Sequence, residues 1–374
     1  MRQRSDGKRR RVRRSPHLVV YWRHGHLVTC NYATRTTAPA TPLICDLLNA
    51  CTDWKSVAGI EHALRSTGFA PLIDRLIDLT FLQASDRPPL AQEEGMSSLM
   101  PWNPEAGFFH TATRDVAFSS RRRARRFARE KAESSVMPPP VKQYRHAVKI
   151  DLPRINWAGE FPAVLRARRT WRRYSIKGIR LDELSQLLGM TVGVQQWVHV
   201  DSRRMALKTS PSGGARHPIE CYVVNRTVQG LTPGIYHYAA DRHALERIRG
   251  EVPLERMQAY LPSSGYFANA SVMVFFTAVF ARILWRYEYS RAYRAALVEA
   301  GHVCQTFCLT ATWLGLAPYC VMGLADSLVE QDLGIDGITE AVLYCAGAGR
   351  PPRSSAPGHL ARGRLDIRPN PRML

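Results

Sequence analysis

The residues best suited to chemistry lie between Lys208 and Tyr222, reading K-T-S-P-S-G-G-A-R-H-P-I-E-C-Y. Ser210, Pro211, Ser212, Gly213 and Gly214 stand together ahead of an apolar run that begins at Ile219. Proline fixes φ, the glycines carry no Cβ, and two hydroxyls flank them, so backbone N–H groups can approach a flat or anionic ligand closely. The same residue types also build a plain surface turn before a strand. Two other stretches suit an anion. In R-A-R-R-T-W-R-R-Y, Arg166 to Tyr174, guanidinium groups surround a threonine hydroxyl, and arginine donates in a bidentate fork while staying charged. Taken alone, such a run is also a solvated basic face. In G-A-G-R-P, 347–351, Arg350 follows what reads as a glycine turn and could close on the same phosphate. A cradle with three phosphate-compatible pieces fits a cofactor that is flat at one end and anionic at the other, the shape of flavin mononucleotide (FMN). Neither a G-x-G-x-x-G after a strand nor a G-x-x-x-x-G-K-[ST] is present, so dinucleotide and P-loop readings lack support.

Positioning these residues takes a folded body, and 374 residues with 45% hydrophobic and 22% charged side chains supply one, in two domains or one large domain with an extension. The net charge of +21 is concentrated in the first fourteen residues, in Arg121–Lys131 and after Arg350. Basicity held in tails and a connector, without a recognition helix or zinc finger, argues against specific nucleic-acid binding. The apolar run after the basic start is broken at Arg23 and His24, and Val272–Ala281 is too short for a bilayer, so the reading is a soluble cytoplasmic protein without membrane association. No two of the eight cysteines form a C-x-x-C pair. His302, Cys304 and Cys308 share a helical stretch, but their apolar neighbours read as a buried helix, and no metal is expected.

Residues 1–14 read as a basic disordered tail. Residues 15–86 hold a hairpin, H-L-V-V-Y-W and L-V-T-C-N-Y, and helices at 42–49, 57–64 and 71–79, with Asp53 and Ser66 placed as caps. That inventory is a winged-helix-like module, which can bind DNA or offer a strand edge to a peptide or partner. Residues 87–150, rich in proline and arginine, read as a connector. The body at 151–352 carries a helix from Leu181 stopping at Gly189, strands at 219–225, 235–238, 272–280, 319–322 and 340–345, and a long buried helix at 291–314, an α+β pattern. Residues 353–374 form a second basic tail.

In this order the pieces are identifiable. R-R-T-W-R-R-Y, L-D-E-L-S-Q-L-L, the Lys208–Tyr222 stretch, P-G-I-Y-H-Y, R-A-Y-R-A-A-L-V-E-A-G-H-V-C-Q and M-G-L-A-D together resemble the SagB/ThcOx-type dehydrogenases, a branch of the FMN-dependent nitroreductase superfamily, over roughly 150–352. V-V-Y-W-R-H-G-H-L-V and W-N-P-E-A-G-F-F-H-T-A-T-R-D are similar to that family's N-terminal region. The resemblance implies an α+β nitroreductase-like FMN-binding fold with the winged-helix-like module before it, and a homodimer with FMN at its interface. It implies that Arg168, Thr170 and Arg172 hold phosphate and ribityl chain, that Ser210, Pro211, Ser212, Gly213 and Gly214 line the isoalloxazine, that Met322 and Gly323 face it, and that Arg350 reaches the phosphate. It further implies azoline oxidase activity on a ribosomally made peptide, beside a cyclodehydratase-type partner. Where azoline oxidases of this branch carry Lys-Tyr, this chain has Arg286-Tyr287, and Thr306 stands where Asn is frequent. Arginine does not give up its proton, so Arg286 can orient or polarise while Tyr287 is left as proton acceptor. A small-molecule flavin reductase and a non-catalytic flavoprotein scaffold are the alternatives.

Overall fold

A computed structural model describes residues 10–353 apart from 100, 120, 137, 143–145, 147, 201 and 202. The tail readings for 1–9 and 354–374 fall outside the described residues. The chain divides into two compact units, 1–114 with 280–294 and 336–340, and 115–279 with 295–335 and 341–374. Among the described residues no helix is long and apolar enough to cross a membrane.

The first unit runs β1 (Arg11–Arg14), β2 (Leu18–Arg23), β3 (His26–Asn31), β4 (Thr36–Pro39), α1 (Pro42–Ala50), β5 (Lys55–Ser56), α2 (Val57–Leu64), α3 (Ala70–Asp78), β6 (Leu82–Ala84), α4 (Ala91–Ser98) and α5 (Pro104–Ala112). The expected hairpin is β2–β3, extended to a meander by β4. The disordered tail expected over 1–14, however, does not include Arg11–Arg14, which form a strand. Arg11–Arg14 form the central strand of a sheet ordered β5-β1-β6, because Val12 is fully buried while Arg13 reaches out to Gln83 Oε1 at 2.7 Å. One apolar side chain among arginines anchors the strand, and composition hides it. Val12 joins Leu47, Ile60, Ile73, Leu76 and Phe81 in a core shared by α1, α2, α3 and the small sheet.

The caps also differ from expectation. Thr41 accepts from Ile44 N–H and Ser56 from Gly59 N–H, whereas Asp53 and Ser66 cap nothing and α3 starts at Phe69 without a side-chain cap. The connector is folded from its beginning, since α4 and α5 belong to this unit. Glu93 of α4, 3% exposed, accepts from Asn31 Nδ2 at 2.8 Å and Gln83 Nε2 at 2.6 Å. His110 of α5 is buried between Tyr293 Oη at 3.2 Å and Gly337 O at 2.9 Å, and burial pushes it down to about 4, so it is neutral at pH 7.

The second unit contains α6 (Arg121–Ser134), α7 (Glu160–Ala167), α8 (Leu181–Val192), the hairpin β7 (Gln196–Val200) and β8 (Arg203–Leu207), β9 (Ile219–Asn225), β10 (Gly234–Ala239), β11 (Ala244–Arg249), α9 (Leu254–Ala259) and β12 (Val272–Val279). The chain passes through α10 (Phe280–Leu284) in the first unit, then α11 (Ala292–Trp313), β13 (Ala317–Val321), α12 (Asp326–Leu333) and β14 (Glu340–Gly349). Six strands form one sheet ordered β11-β10-β9-β12-β14-β13, with antiparallel ladders at β10–β11, β9–β10, β9–β12 and β13–β14, and helices beside them, in line with the α+β expectation. β12 is buried along nearly its whole length, which is why its sequence is a continuous apolar run.

Two glycine readings are corrected. Gly189 does not stop α8, which continues to Val192. A Cβ at 189 would lie 3.0 Å from the His243 ring, so the glycine serves a close contact inside the helix. Nor does G-A-G-R-P form a turn: β14 continues through Gly349, and a Cβ on Gly347 would come within 2.3 Å of the Tyr319 ring and 2.4 Å of Val272 O.

Candidate functional site

Strand directions sort the candidate residues. β9 begins opposite the end of β12, with Ile219 paired to Ala278, and β14 begins beside that same end, where Phe280 N–H donates to Thr339 O. β13 runs antiparallel to β14, pairing Val321 with Cys345 at its end. Pro211–Gly214, just before β9, and Met322–Gly323, just after β13, therefore leave the sheet in the same direction. The arginine segment follows β13. Trp171 N–H donates to Pro318 O at 2.9 Å and Ser175 N–H to Arg350 O at 2.9 Å, while Arg168 acts electrostatically on Cys320. Arg168–Arg172 thus extends between the Met322 end and the Arg350 end.

The Ser-Pro-Ser-Gly-Gly loop is fastened from behind by α11. Ser210, 3% exposed, meets Thr306 through hydroxyls 2.9 Å apart, and Thr306 donates back to His302 O at 3.0 Å. The Ser212 hydroxyl bonds the Glu299 carboxylate and accepts from His217 N–H at 2.8 Å. Glu299 and Thr306 are seven residues apart, two turns of one helix, and so they share a face. The loop backbone is held in unusual conformations: Gly214 at φ 59°, Ala215 at 52° and His217 at 44°. Glycine adopts this region freely, whereas Ala215 and His217 occupy it at a cost of about 1–3 kcal/mol each. His217 is held there by its own N–H and by Nε2 donating to Ala206 O at 3.0 Å, which leaves Nδ1 facing Glu299 Oε1 at 3.9 Å.

Glu299 is 4% exposed, and desolvation raises its carboxyl above the usual range, with the Ser212 hydroxyl, Lys208 and His302 pulling the other way. The unfolded chain releases this proton near the ordinary carboxyl value and the folded chain only at higher pH, so stability falls as pH rises between the two. Glu299→Gln should abolish that decline. Urea midpoints of the wild-type and variant chains should move apart as pH is raised from 4 to 8, the variant becoming the more stable.

Arg350, expected at a phosphate, is engaged in the protein: Nη2 donates to Glu183 Oε2 at 2.6 Å and Nε to Gly178 O at 3.2 Å. Arg168, Thr170 and Arg172 are half-buried. Met322 is 71% exposed, a large apolar side chain left at a strand end, and Gly323 sits against the Phe118 ring. Pro211, Gly213 and Gly214 are exposed. Open, side-chain-poor backbone braced by hydrogen-bonded hydroxyls, with an exposed Met leaving the sheet in the same direction, fits the flat part of a flavin. Arg286 and Tyr287 lie in the first unit, on the turn after α10. Arg286 is exposed and Tyr287 half-buried, with the Arg286 guanidinium 5.9 Å from the Tyr287 ring centroid and the Tyr289 ring 5.9 Å away.

Sequence reasoning passed over Glu299 and His217 as site residues, and saw Thr306 only as a departure. Their helical spacing was a readable signal for the first and last, whereas the conformation of His217 was not. It also stopped at Cys304 and Cys308, which the fold brings to Cys320 of β13.

A profile of the nitroreductase family matches residues 165–350. A Methanocaldococcus jannaschii protein named as a nitroreductase is 34% identical over 172 residues, covering 46% of this chain and 83% of that protein. The trifolitoxin-processing protein TfxB of Rhizobium leguminosarum is 33% identical over 36% of this chain and 38% of its own length. The microcin B17-processing protein McbC of Escherichia coli is 30% identical over 36% of this chain and 50% of its own. This chain therefore matches half or less of the two peptide-processing relatives. Among solved structures, one from Anabaena variabilis described as a nitroreductase aligns at 28% identity and TM-score 0.45, over 56% of this chain and 42% of that one. The matched stretch holds the loop, α11, β13 and β14 together, and with most of the archaeal relative covered at this identity, the chain belongs to the nitroreductase family.

Proposed function

We propose that the protein is an FMN-dependent dehydrogenase of the SagB type that oxidises azoline rings in a ribosomally made peptide. The observation that carries this reading is the Ser-Pro-Ser-Gly-Gly loop, left open at the surface and fastened through Ser210–Thr306 and Ser212–Glu299 to α11, in a chain that is similar over 36% of its length to each of two peptide-processing proteins. Bound FMN would supply the hydride acceptor. Arg168, Thr170 and Arg172 would hold its phosphate and ribityl chain, with Arg350 turning from Glu183 to join them. Pro211, Ser212, Gly213 and Gly214 would lie along the ring and Met322–Gly323 would face it. Tyr287, in its phenolate form, would take the ring proton at its phenolic oxygen, and Arg286 would orient it. The first unit, with its two three-stranded sheets and the helices packed on them, holds the peptide or a cyclodehydratase-type partner, and a homodimer completes the assembly. The chain's excess of positive charge suits an acidic leader segment.

The archaeal relative's name favours a second reading, a small-molecule reductase using NAD(P)H. One incubation separates them. Given an azoline-bearing peptide and an electron acceptor, the protein should return a peptide lighter by two hydrogens. NAD(P)H consumption without peptide turnover would favour the reductase, and neither activity from a flavin-loaded protein would leave the scaffold.

A further inference from the structure

Cys304, Cys308 and Cys320 are not among the residues proposed to touch the flavin, and their three sulfur atoms all lie within 4.8 Å of one another. Two come from one face of α11, four residues apart, and the third from the adjacent strand β13, twelve residues further along the chain. The Tyr344 hydroxyl lies beside the Cys320 sulfur. Cys304 and Cys308 are 2% and 3% exposed, while Cys320 is only partly covered, which leaves an approach from one side.

We propose that this cluster is a binding site for a thiophilic divalent cation of the zinc type. Around such an ion, with bonds of about 2.3 Å in tetrahedral geometry, neighbouring sulfurs sit about 3.8 Å apart, so the observed sulfurs reach it by closing about 1 Å or less, within the range of side-chain rotation. Three thiolates and a divalent ion carry one net negative charge, and Arg168 lies within electrostatic range of Cys308 and Cys320 to offset it. A monovalent ion would leave two charges to offset in a largely buried site. Tyr344 or a water entering beside Cys320 supplies the fourth ligand. A bound ion would staple the helix that braces the loop to the strand that leads into Met322–Gly323.

Cadmium is the probe, because thiolate-to-cadmium charge transfer absorbs in the ultraviolet and reports sulfur ligation directly. The full-length chain, kept reduced, should take up one cadmium with that absorption, and zinc should displace it. Cys320→Ser should weaken uptake by more than about 100-fold, and Cys304→Ser likewise, while Cys221→Ser leaves it unchanged. Absence of charge-transfer uptake by the wild-type chain would overturn the proposal, whatever the variants do. So would uptake by a folded Cys320→Ser chain, checked by circular dichroism, that matches wild type.

Discussion

Tyr287→Phe should lower the turnover of azoline peptide by about 10²–10⁴-fold while leaving flavin binding unchanged. The substitution keeps the ring, so the contacts with Tyr289 and the Arg286 guanidinium persist and only the phenolic oxygen is lost. A loss of that size in kcat, with KM nearly constant, is the pattern of a group acting on the transferred proton. Arg286 cannot take its place, because a guanidinium holds its proton throughout the accessible pH range. The measurement is steady-state kinetics on a defined azoline peptide, with flavin content recorded on the same samples. Turnover within threefold of wild type would remove Tyr287 from the chemistry and leave the flavin site standing.

Gly347→Ala should destabilise the second unit by about 3 kcal/mol or more, the upper range for overpacking a core. The added methyl would meet Tyr319 at 2.3 Å and the Val272 carbonyl at 2.4 Å, both far inside contact distance. Neither can retreat. Tyr319 is 1% exposed and stacks on Phe267 with centroids 4.2 Å apart and planes 5° from parallel, and Val272 belongs to the backbone of the neighbouring strand. At roughly 2–4 °C per kcal/mol for a unit of this size, the melting transition should fall by about 6–12 °C. Gly250→Ala, where nothing lies within 4 Å, is the matched control and should stay within about 0.5 kcal/mol of wild type. Scanning calorimetry of both variants reads the contrast.

Gly347 also shows where the sequence could be read and where it could not. In G-A-G-R-P the glycines suggested a turn because glycine punctuates turns far more often than it fills a crowded strand position, and only the Tyr319 ring and the Val272 carbonyl reveal the crowding. The continuous apolar run of β12 and the helical spacing of α11 were legible because burial on a regular element imposes a period. β7 and β8 were not. Most of their side chains are exposed on both faces, so no hydrophobic alternation marks them. β1 was hidden for a related reason: a single buried valine among arginines is too little pattern to outweigh the charge around it. In the site, the loop was legible from Pro, Ser and Gly, and the brace behind it was partly legible, since Glu299 and Thr306 have a helical spacing. The meeting of Cys320 with Cys304 and Cys308 depends on a turn from α11 into β13, which spacing does not encode.

Binding of FMN by the second unit is read from the absorption spectrum of the purified protein, with any released cofactor identified by mass. The protein should be yellow, with the two-banded absorption of an oxidised flavin and FMN in the supernatant after denaturation, and Arg168→Ala and Arg172→Ala should weaken retention. A colourless protein that also fails to take up added FMN would contradict it, and the dehydrogenase reading would go with it.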